Sequence, residues 1–213
     1  MLFRSSLSAW EADEFAQVVK FGKGLVSPDG EPKGWVIDGD VQLGWTRFHP
    51  ATPDAACWTM LLAMMNDRLN GDAIGRPLVA RILERYAGLT ADGIKPSRTA
   101  DGIFRHWIDP ANGGVKSGWD PEFSTMSTML IVTAAARAAA FYPTDLSIQG
   151  SARAIICGVH NWDAYFNPTT RAMYLKGLLG GGPDTSTGSG PYHEGLIFVE
   201  QAAAYGEIGR AHV

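Results

Sequence analysis

The chain has 213 residues, of which 18 are Lys or Arg and 22 are Asp or Glu, so its formal net charge is −4. This acidic balance argues against binding to nucleic acid, and a chain that is 46% hydrophobic and 19% charged is not a disordered one. No apolar run reaches the ~18–20 residues that a membrane-spanning helix needs. We therefore expect one domain over residues 1–213 without a membrane span, and the sequence leaves its oligomeric state open.

Apolar residues that recur at helical spacing predict six helices, and no stretch shows the convincing alternation of a strand. The predicted helices cover residues 8–20, 53–70, 76–86, 124–142, about 145–160 and about 192–205. The start of the second helix is well marked, because Thr52 can cap it and Pro53 suits its first turn. Pro143 ends the longest helix, since proline cannot continue the helical hydrogen bonding.

Long irregular stretches alternate with the short connections between these helices. They cover residues 21–53, 89–120 and 162–190, and the chain as a whole is rich in Gly, with 25, and in Trp, with 7. Loops of this length inside a compact domain are usually functional. Because they occur at every second connection, we expect them on one rim of an all-α assembly, where a rigid scaffold holds functional residues.

The segment GIFRHWIDP, residues 102–110, holds the first group of candidate site residues. If this segment is extended, His106 and Ile108 lie on one face, and Trp107 and Asp109 lie on the other. A site built here would offer an imidazole, an aromatic face and a carboxylate. The alternative is an ordinary loop, in which Trp107 is an anchor and Asp109 begins an Asp-Pro turn.

Two further groups of acidic and aromatic residues precede predicted helices, namely Trp119, Asp120 and Glu122 before the longest helix and Tyr192, His193 and Glu194 before the last. Acidic residues at a helix start have an ordinary explanation, because Asp caps the helix and Glu complements the positive end of its dipole. The sharper interpretation is that these helix starts hold carboxylates at the mouth of a pocket.

Taken together, the three groups suit the chemistry of glycoside hydrolysis. Most glycosidases use two carboxyl groups that flank the sugar, one as an acid and the other as a base or nucleophile. Aromatic faces stack on sugar rings, which suits the number of Trp residues. The His residues are scattered, no HExxH or CxxC spacing occurs, and no glycine motif for phosphate or dinucleotide binding is present. We therefore predict an oligo- or polysaccharide partner, with no metal and no cofactor.

Residues 94–206 resemble the glycoamylase-like domain family, which contains bacterial endo-β-1,2-glucanases. The resemblance is carried in order by GIFRHWIDP, by EFST at the start of an Ala-rich helix (residues 122–125), and by YHEGLIFVEQAAAYG (residues 192–206). It implies an (α/α)6 toroid whose loops form a glycan cleft on one face. Six helices are half of those that such a ring needs, so we expect an incomplete toroid with long rim loops and a chain that is part of a larger domain.

The resemblance also implies hydrolysis of a β-glucan, with β-1,2-glucan the leading candidate, through acid–base catalysis by carboxylates with inversion. Glu194 matches an acid of the family and is our prediction for the general acid, and Glu122 is our prediction for a second essential carboxylate. Asp109 and Asp120 are the alternatives for the base. The family's usual setting implies a periplasmic or extracellular protein, although no signal peptide is visible at the start of this chain.

The predicted substrate-binding residues are aromatic or histidine side chains from the loops, namely His106, Trp107, Trp119, Tyr192, His193, Trp162 and Trp45. The chain departs from the family at Ser127, where the family has Asp, and at His193, where it has Asn. Because one acid is missing, a glycan-binding protein without catalysis on the same scaffold is the alternative hypothesis. A third is a structural helical piece whose Trp residues pack inward.

Overall fold

The computed structural model of the chain describes residues 33–38, 50–70, 75–170 and 172–186. Within these ranges there are four α-helices, which are α1 (Pro53–Asn70), α2 (Gly75–Ala87), α3 (Thr125–Phe141) and α4 (Leu146–Cys157). A short 3₁₀ helix covers Trp162–Tyr165. The strands are two residues long, and they are β1 (Phe123–Ser124), β2 (Phe166–Asn167), β3 (Ala172–Met173) and β4 (Lys176–Gly177).

The helices begin where their capping residues predict. Thr52 Oγ1 accepts a hydrogen bond from the backbone N–H of Ala55 at 3.1 Å, which confirms Thr52 as the cap of α1. Asp145 caps α4 by accepting from the N–H groups of Ser147 and Ile148, each at 3.1 Å. Helix α3 begins within one residue of its predicted start, but its cap is Ser124, which accepts from the N–H of Ser127, and not Asp120.

The four helices pack around a single apolar core. Helix α1 packs against α2 and α3, and α4 packs against the same two helices, so each helix has two helical neighbours. Residues 35–37 and the segment 103–108 contribute further buried side chains to this core. Its largest fully buried apolar and aromatic side chains are Trp35, Tyr86, Tyr165, Phe104, Met60, Ile82, Leu83, Ile103, Ile108, Met129 and Ile131.

Short antiparallel pairings join the loops to one another. Strand β1 pairs with β4, and β2 pairs with β3. Single bridges connect Ala51 to Ile37 on one side and to Ile108 on the other, and Ile108 is also bridged to Val115. Because buried backbone N–H and C=O groups need partners, these loops satisfy each other by local pairing rather than lying free on a rim.

The expectation of an all-α, (α/α)6 toroid-like fold is therefore wrong. The described residues form a mixed α/β arrangement of four helices and short antiparallel strands, where six helices and no strands were expected. Strands of two residues are too short to show an alternating pattern, so the sequence did not indicate them. The first and last predicted helices, 8–20 and 192–205, lie outside the described residues. None of the described helices combines the length and apolarity needed to cross a membrane.

A glycine fixes the point at which the segment 103–108 enters the core. Gly102 has φ +86°, a left-handed conformation that side chains disfavour, and a Cβ atom at this position would collide with the carbonyl of Gly158 at the end of α4. Only glycine allows this turn to approach the end of α4 so closely. The chain can then continue directly into the buried residues Ile103 and Phe104.

Arg85 on α2 is a buried charge with a full set of partners. Its side chain is 2% exposed, and its Nη1 and Nη2 donate to the two carboxylate oxygens of Asp92 at 2.8 and 2.6 Å. Its Nε donates to the carbonyl of Lys33 at 2.7 Å, and Nη1 also donates to that of Ile94. Its guanidinium lies 4.9 Å from the ring centroid of Trp35. This one side chain therefore ties residues 33–35 and the loop after α2 together.

We predict that Asp92→Asn lowers the free energy of unfolding by about 2 kcal/mol, because it leaves the Arg85 charge buried without its counter-ion. Arg85 holds the pKa of Asp92 well below its ordinary value of 3.8, so this stabilisation is present above that pH and is lost as the pH falls. Urea unfolding at pH 7 and at lower pH measures both effects.

The matched control for this experiment is Glu84→Gln, on the same helix as Arg85. Glu84 pairs with Arg81 at 2.7 Å, but both side chains are about one-third exposed. Exposed ion pairs contribute roughly 0.5 kcal/mol, so we expect a change no larger than that. Equal losses in the two variants would contradict a special role for the buried Arg85.

Candidate functional site

The segment 103–108 is held by backbone hydrogen bonds on both of its sides. The N–H of His106 donates to the carbonyl of Glu122 at 3.1 Å, and the N–H of Ser124 donates to that of Phe104 at 2.9 Å. On the other side Ile108 and Ala51 exchange two hydrogen bonds of 2.9 Å each. The start of α1, the segment 103–108 and the start of α3 are thereby brought side by side.

His106 and Glu122 form the closest polar contact of this region. Nδ1 of His106 lies 2.6 Å from Oε1 of Glu122, and both side chains are largely buried, at 22% and 17% exposed. Burial alone would lower the pKa of His106, but the hydrogen bond to Glu122 and the charge of Asp54 outweigh it and raise the pKa above its ordinary value. The contact with the carboxylate thus favours the protonated form of the imidazole.

Lys176 is a second cationic partner of Glu122. Its Nζ lies 2.9 Å from Oε2 of Glu122 and 3.0 Å from Oδ2 of Asp120. The pairing of β1 with β4 sets Lys176 opposite Ser124, which brings it to the carboxylate. The hydrogen bond from His106 lowers the pKa of Glu122 most, Lys176 lowers it further, and together they outweigh burial and bring it to about 2. Glu122 is therefore ionised at all ordinary pH values.

Asp54, in the first turn of α1, approaches His106 from the opposite side. Its Oδ2 lies 3.6 Å from Nε2 of His106, so the imidazole stands between two carboxylates. Because Nδ1 of His106 is committed to Glu122, only Nε2 is directed to other groups. Four side chains of alternating charge therefore lie in a row, which we call the charged row. They are, in order, Asp54, His106, Glu122 and Lys176.

These residues line a cavity of about 300 Å³, which we call the acid–histidine pocket. The pocket combines charged groups with hydroxyl and apolar side chains, and its lining consists of Asp54, His106, Glu122, Ser124, Met126, Ser127, Leu130, Leu175 and Lys176. Its volume suits a small organic ligand or part of a larger one. The described residues contain no group of three or more His, Cys, Asp or Glu side chains that could hold a metal ion.

Two indole rings lie beside the imidazole of His106 and form a continuous aromatic cluster with it. The ring of Trp107 stacks on it with centroids 3.8 Å apart and planes 18° apart, and Trp119 lies 4.6 Å from Trp107. The chain bends at His106 and Trp107. The prediction of opposite faces for these two neighbours is therefore wrong, because a bend, unlike a regular strand, lets adjacent rings meet.

Not all the predicted acids belong to this pocket. Asp109 forms a turn instead, where its Oδ1 accepts from the N–H of Ala111 at 3.1 Å and lies 3.5 Å from Nζ of Lys116. This is the ordinary interpretation of the Asp-Pro sequence. Asp120 is more than half exposed and contacts the pocket only through Lys176. Trp162 is half-buried and packs against the core.

Four of the predicted site residues lie outside the described residues. They are the expected general acid and three expected substrate-binding residues, namely Glu194, Tyr192, His193 and Trp45. Their roles remain predictions. Within the described ranges, the structure brings His106, Trp107, Trp119 and Glu122 together and leaves Asp109 aside.

Two charged residues of the pocket were missed in the sequence. Asp54 follows Thr52 and Pro53 at a helix start, where an acid is expected for its interaction with the helix dipole alone. Lys176 lies in a stretch that we interpreted as irregular, and its pairing with Ser124 joins positions 52 residues apart. No local pattern indicates a contact of this kind. Only the folded structure shows that Lys176 lies beside Glu122.

Comparison of the chain with models of protein families, with curated proteins and with solved structures finds no match. The basis for a functional hypothesis is therefore the chemistry of the pocket residues, together with the resemblance of two of its segments to glycoamylase-like proteins.

The two pKa shifts define the pH range in which the His106–Glu122 pair stabilises the fold. Glu122 contributes fully above its ordinary value of 4.5 and loses its effect as the pH falls through about 2. His106, whose pKa is raised, contributes fully below its ordinary value of 6.5 and loses its effect as the pH rises through the raised value. The pair is therefore most stabilising between about pH 4.5 and 6.5.

We predict that Glu122→Gln lowers the pKa of His106, because the protonated imidazole loses the carboxylate that accepts its hydrogen bond. Titration of the imidazole Hε1 resonance of His106 by NMR measures this. Asp109→Asn is the matched control, since it removes a carboxylate from the same segment that does not contact His106 and keeps the oxygen that accepts from Ala111. A pKa equally lowered in the control would contradict the pairing.

Proposed function

We propose that the chain is a glycoside hydrolase-like protein that binds a β-glucan at the acid–histidine pocket and hydrolyses it. The observation that carries this proposal is the 2.6 Å contact between His106 and Glu122. These residues belong to two of the segments that resemble glycoamylase-like proteins, GIFRHWIDP and EFST, and they meet at one cavity. By the same resemblance, β-1,2-glucan is the first substrate to test and the periplasm or the cell exterior is the proposed location.

In this proposal Glu122 orients the imidazole and does not act as the general acid. A general acid must hold its proton near neutral pH, which requires a raised pKa. The pKa of Glu122 is instead lowered to about 2 by His106 and Lys176. Glu122 is a carboxylate that fixes Nδ1 of His106 and leaves Nε2 directed to Asp54.

The two carboxylates around His106 do not form an inverting pair by themselves. Such a pair leaves a gap of ~6.5–9.5 Å in which a water molecule attacks the sugar. Here the imidazole ring fills the gap between Asp54 and Glu122. The proposal therefore assigns the activation of water to Oδ1 of Asp54, the carboxylate oxygen that does not face His106, and it keeps Glu194 as the acid that protonates the leaving group.

The stacked rings of Trp107 and Trp119 supply the binding surface for sugar in this proposal. Both indoles are partly exposed, and they continue from the imidazole that borders the pocket. Aromatic faces present large apolar area with a fixed geometry, so a sugar ring can rest on them without disturbing the charged row. The pocket would hold one sugar, and the indoles would hold its neighbour.

We predict that Asp54→Asn lowers the rate of glucan hydrolysis at least about 100-fold, since it removes the proposed base. Glu194→Gln lowers it by a similar factor, while Asp109→Asn leaves it within about twofold. Release of reducing ends from β-1,2-glucan and from a panel of other linkage-defined glucans measures the three variants beside the wild type. Unchanged turnover in Asp54→Asn would contradict the role of Asp54. Loss of turnover in Asp109→Asn would contradict the choice of Asp54 over Asp109 as the base.

The second candidate function is glycan binding without hydrolysis. It is favoured by the double pairing of Glu122 and by a serine, Ser127, at the position where the similar family has an acid. We predict in either case that Trp107→Ala weakens binding of a β-1,2-linked glucose trisaccharide about tenfold or more, because the indole face is lost. Calorimetry measures the affinity, and long incubation without product would decide for binding alone. Phe141→Ala, at the far end of α3, serves as the control aromatic and should bind like the wild type.

A further inference from the structure

Ser127 is an unusual hydroxyl within its own helix. It lies in the first turn of α3 with no exposed surface, and its Oγ has no hydrogen-bond partner among the described residues. Helical hydroxyls normally donate to the carbonyl four residues earlier. Thr128 and Thr133 on the same helix do so, each at 2.7 Å. Ser127 does not follow them, although leaving a buried hydroxyl unpaired is costly.

A second buried polar atom of the pocket shares this property. Oδ2 of Asp54 is buried and has no hydrogen bond within the described part of the chain. Its contact with Nε2 of His106, at 3.6 Å, is too long for a hydrogen bond. Asp54 and Ser127 come from different helices, α1 and α3, yet both line the acid–histidine pocket. Native proteins pair nearly all buried polar groups, so two unpaired oxygens at one cavity indicate a ligand that pairs them.

We propose that Asp54 and Ser127 form a subsite for a hydroxyl group of the ligand. A carboxylate oxygen can only accept, whereas a serine hydroxyl can donate. A ligand hydroxyl satisfies both, because its O–H donates to Asp54 and its oxygen accepts from Ser127. An ammonium group could donate to both oxygens but would leave the hydroxyl proton of Ser127 without an acceptor, and a phosphate or carboxylate would be repelled by Asp54.

The balance of charge in the pocket favours the same class of ligand. Among the residues that line the pocket, Asp54 and Glu122 face His106 and Lys176, and Lys176 also pairs with Asp120 outside it. A neutral ligand adds no charge beside these paired groups, whereas an ion of either sign would compete with the pairs. The inference rests on the proposed function, and it identifies which residues recognise a hydroxyl of a neutral saccharide.

The test compares ligand affinity and thermal stability in Ser127→Ala. We expect the Kd for a β-1,2-linked glucose trisaccharide, measured by calorimetry, to rise about tenfold, since one buried hydrogen bond is lost. The Tm of the free protein should stay the same or rise, because alanine removes an unpaired polar group. Thr133→Val is the control, as it removes a hydroxyl of the same helix that bonds only to the backbone, and its Kd should match that of the wild type.

Deoxygenated ligands locate the hydroxyl that is bound. Among monodeoxy forms of the trisaccharide, one should bind the wild type about tenfold more weakly and bind Ser127→Ala with little further loss, which is the non-additivity expected of direct partners. A Kd for Ser127→Ala equal to that of the wild type overturns the subsite and leaves the proposed function standing. A fall of several degrees in its Tm also overturns it, because Ser127 would then be bonded within the chain. Failure of the wild type to bind any saccharide overturns the proposed function, and the subsite with it.

Discussion

The pocket depends on the double backbone pairing of the segment 103–108. Its side chains Ile103, Phe104 and Ile108 are fully buried, so the segment cannot shift without exposing apolar surface. The same segment exchanges hydrogen bonds with Ala51 on one side and with residues 122–124 on the other. His106 is thereby held in a fixed position between the starts of α1 and α3. Asp54 comes from the first of these and Glu122 from the residues just before the second.

The row of charges can be partly buried because each charge has a neighbour of opposite sign. An isolated carboxylate as well covered as Glu122 would be protonated or would destabilise the fold. His106 and Lys176 instead hold it ionised, and Glu122 together with Asp54 favours the charged form of His106. The β1–β4 pairing that brings Lys176 into place is only two residues long, so the charge contacts and the strand pairing support one another.

Local signals in the sequence predicted the helices but not their arrangement. Thr52 and Asp145 marked the starts of α1 and α4 correctly, because capping is a property of neighbouring residues. The bounds of α3 were also predicted, but Asp120 is not its cap, since the chain first forms β1 and the helix is then capped by Ser124. The pairing of loop residues depends on distant partners, as in the bridge of Ala51 to Ile108, which lie 57 positions apart. Such contacts leave no periodic trace, and the all-α prediction failed for that reason.

Site residues that are adjacent in the sequence could be predicted, whereas those that come from distant segments were missed. His106 and Trp107 stand out because they are adjacent in a polar, Gly-rich loop, whereas Asp54 and Lys176 become informative only through their contacts with that loop. Ser127 gains its meaning in the same way. A carboxylate at this position would add a further negative group beside Asp54 and Glu122. A serine adds a hydroxyl without adding charge, and the proposed binding of a neutral, hydroxylated ligand depends on this property.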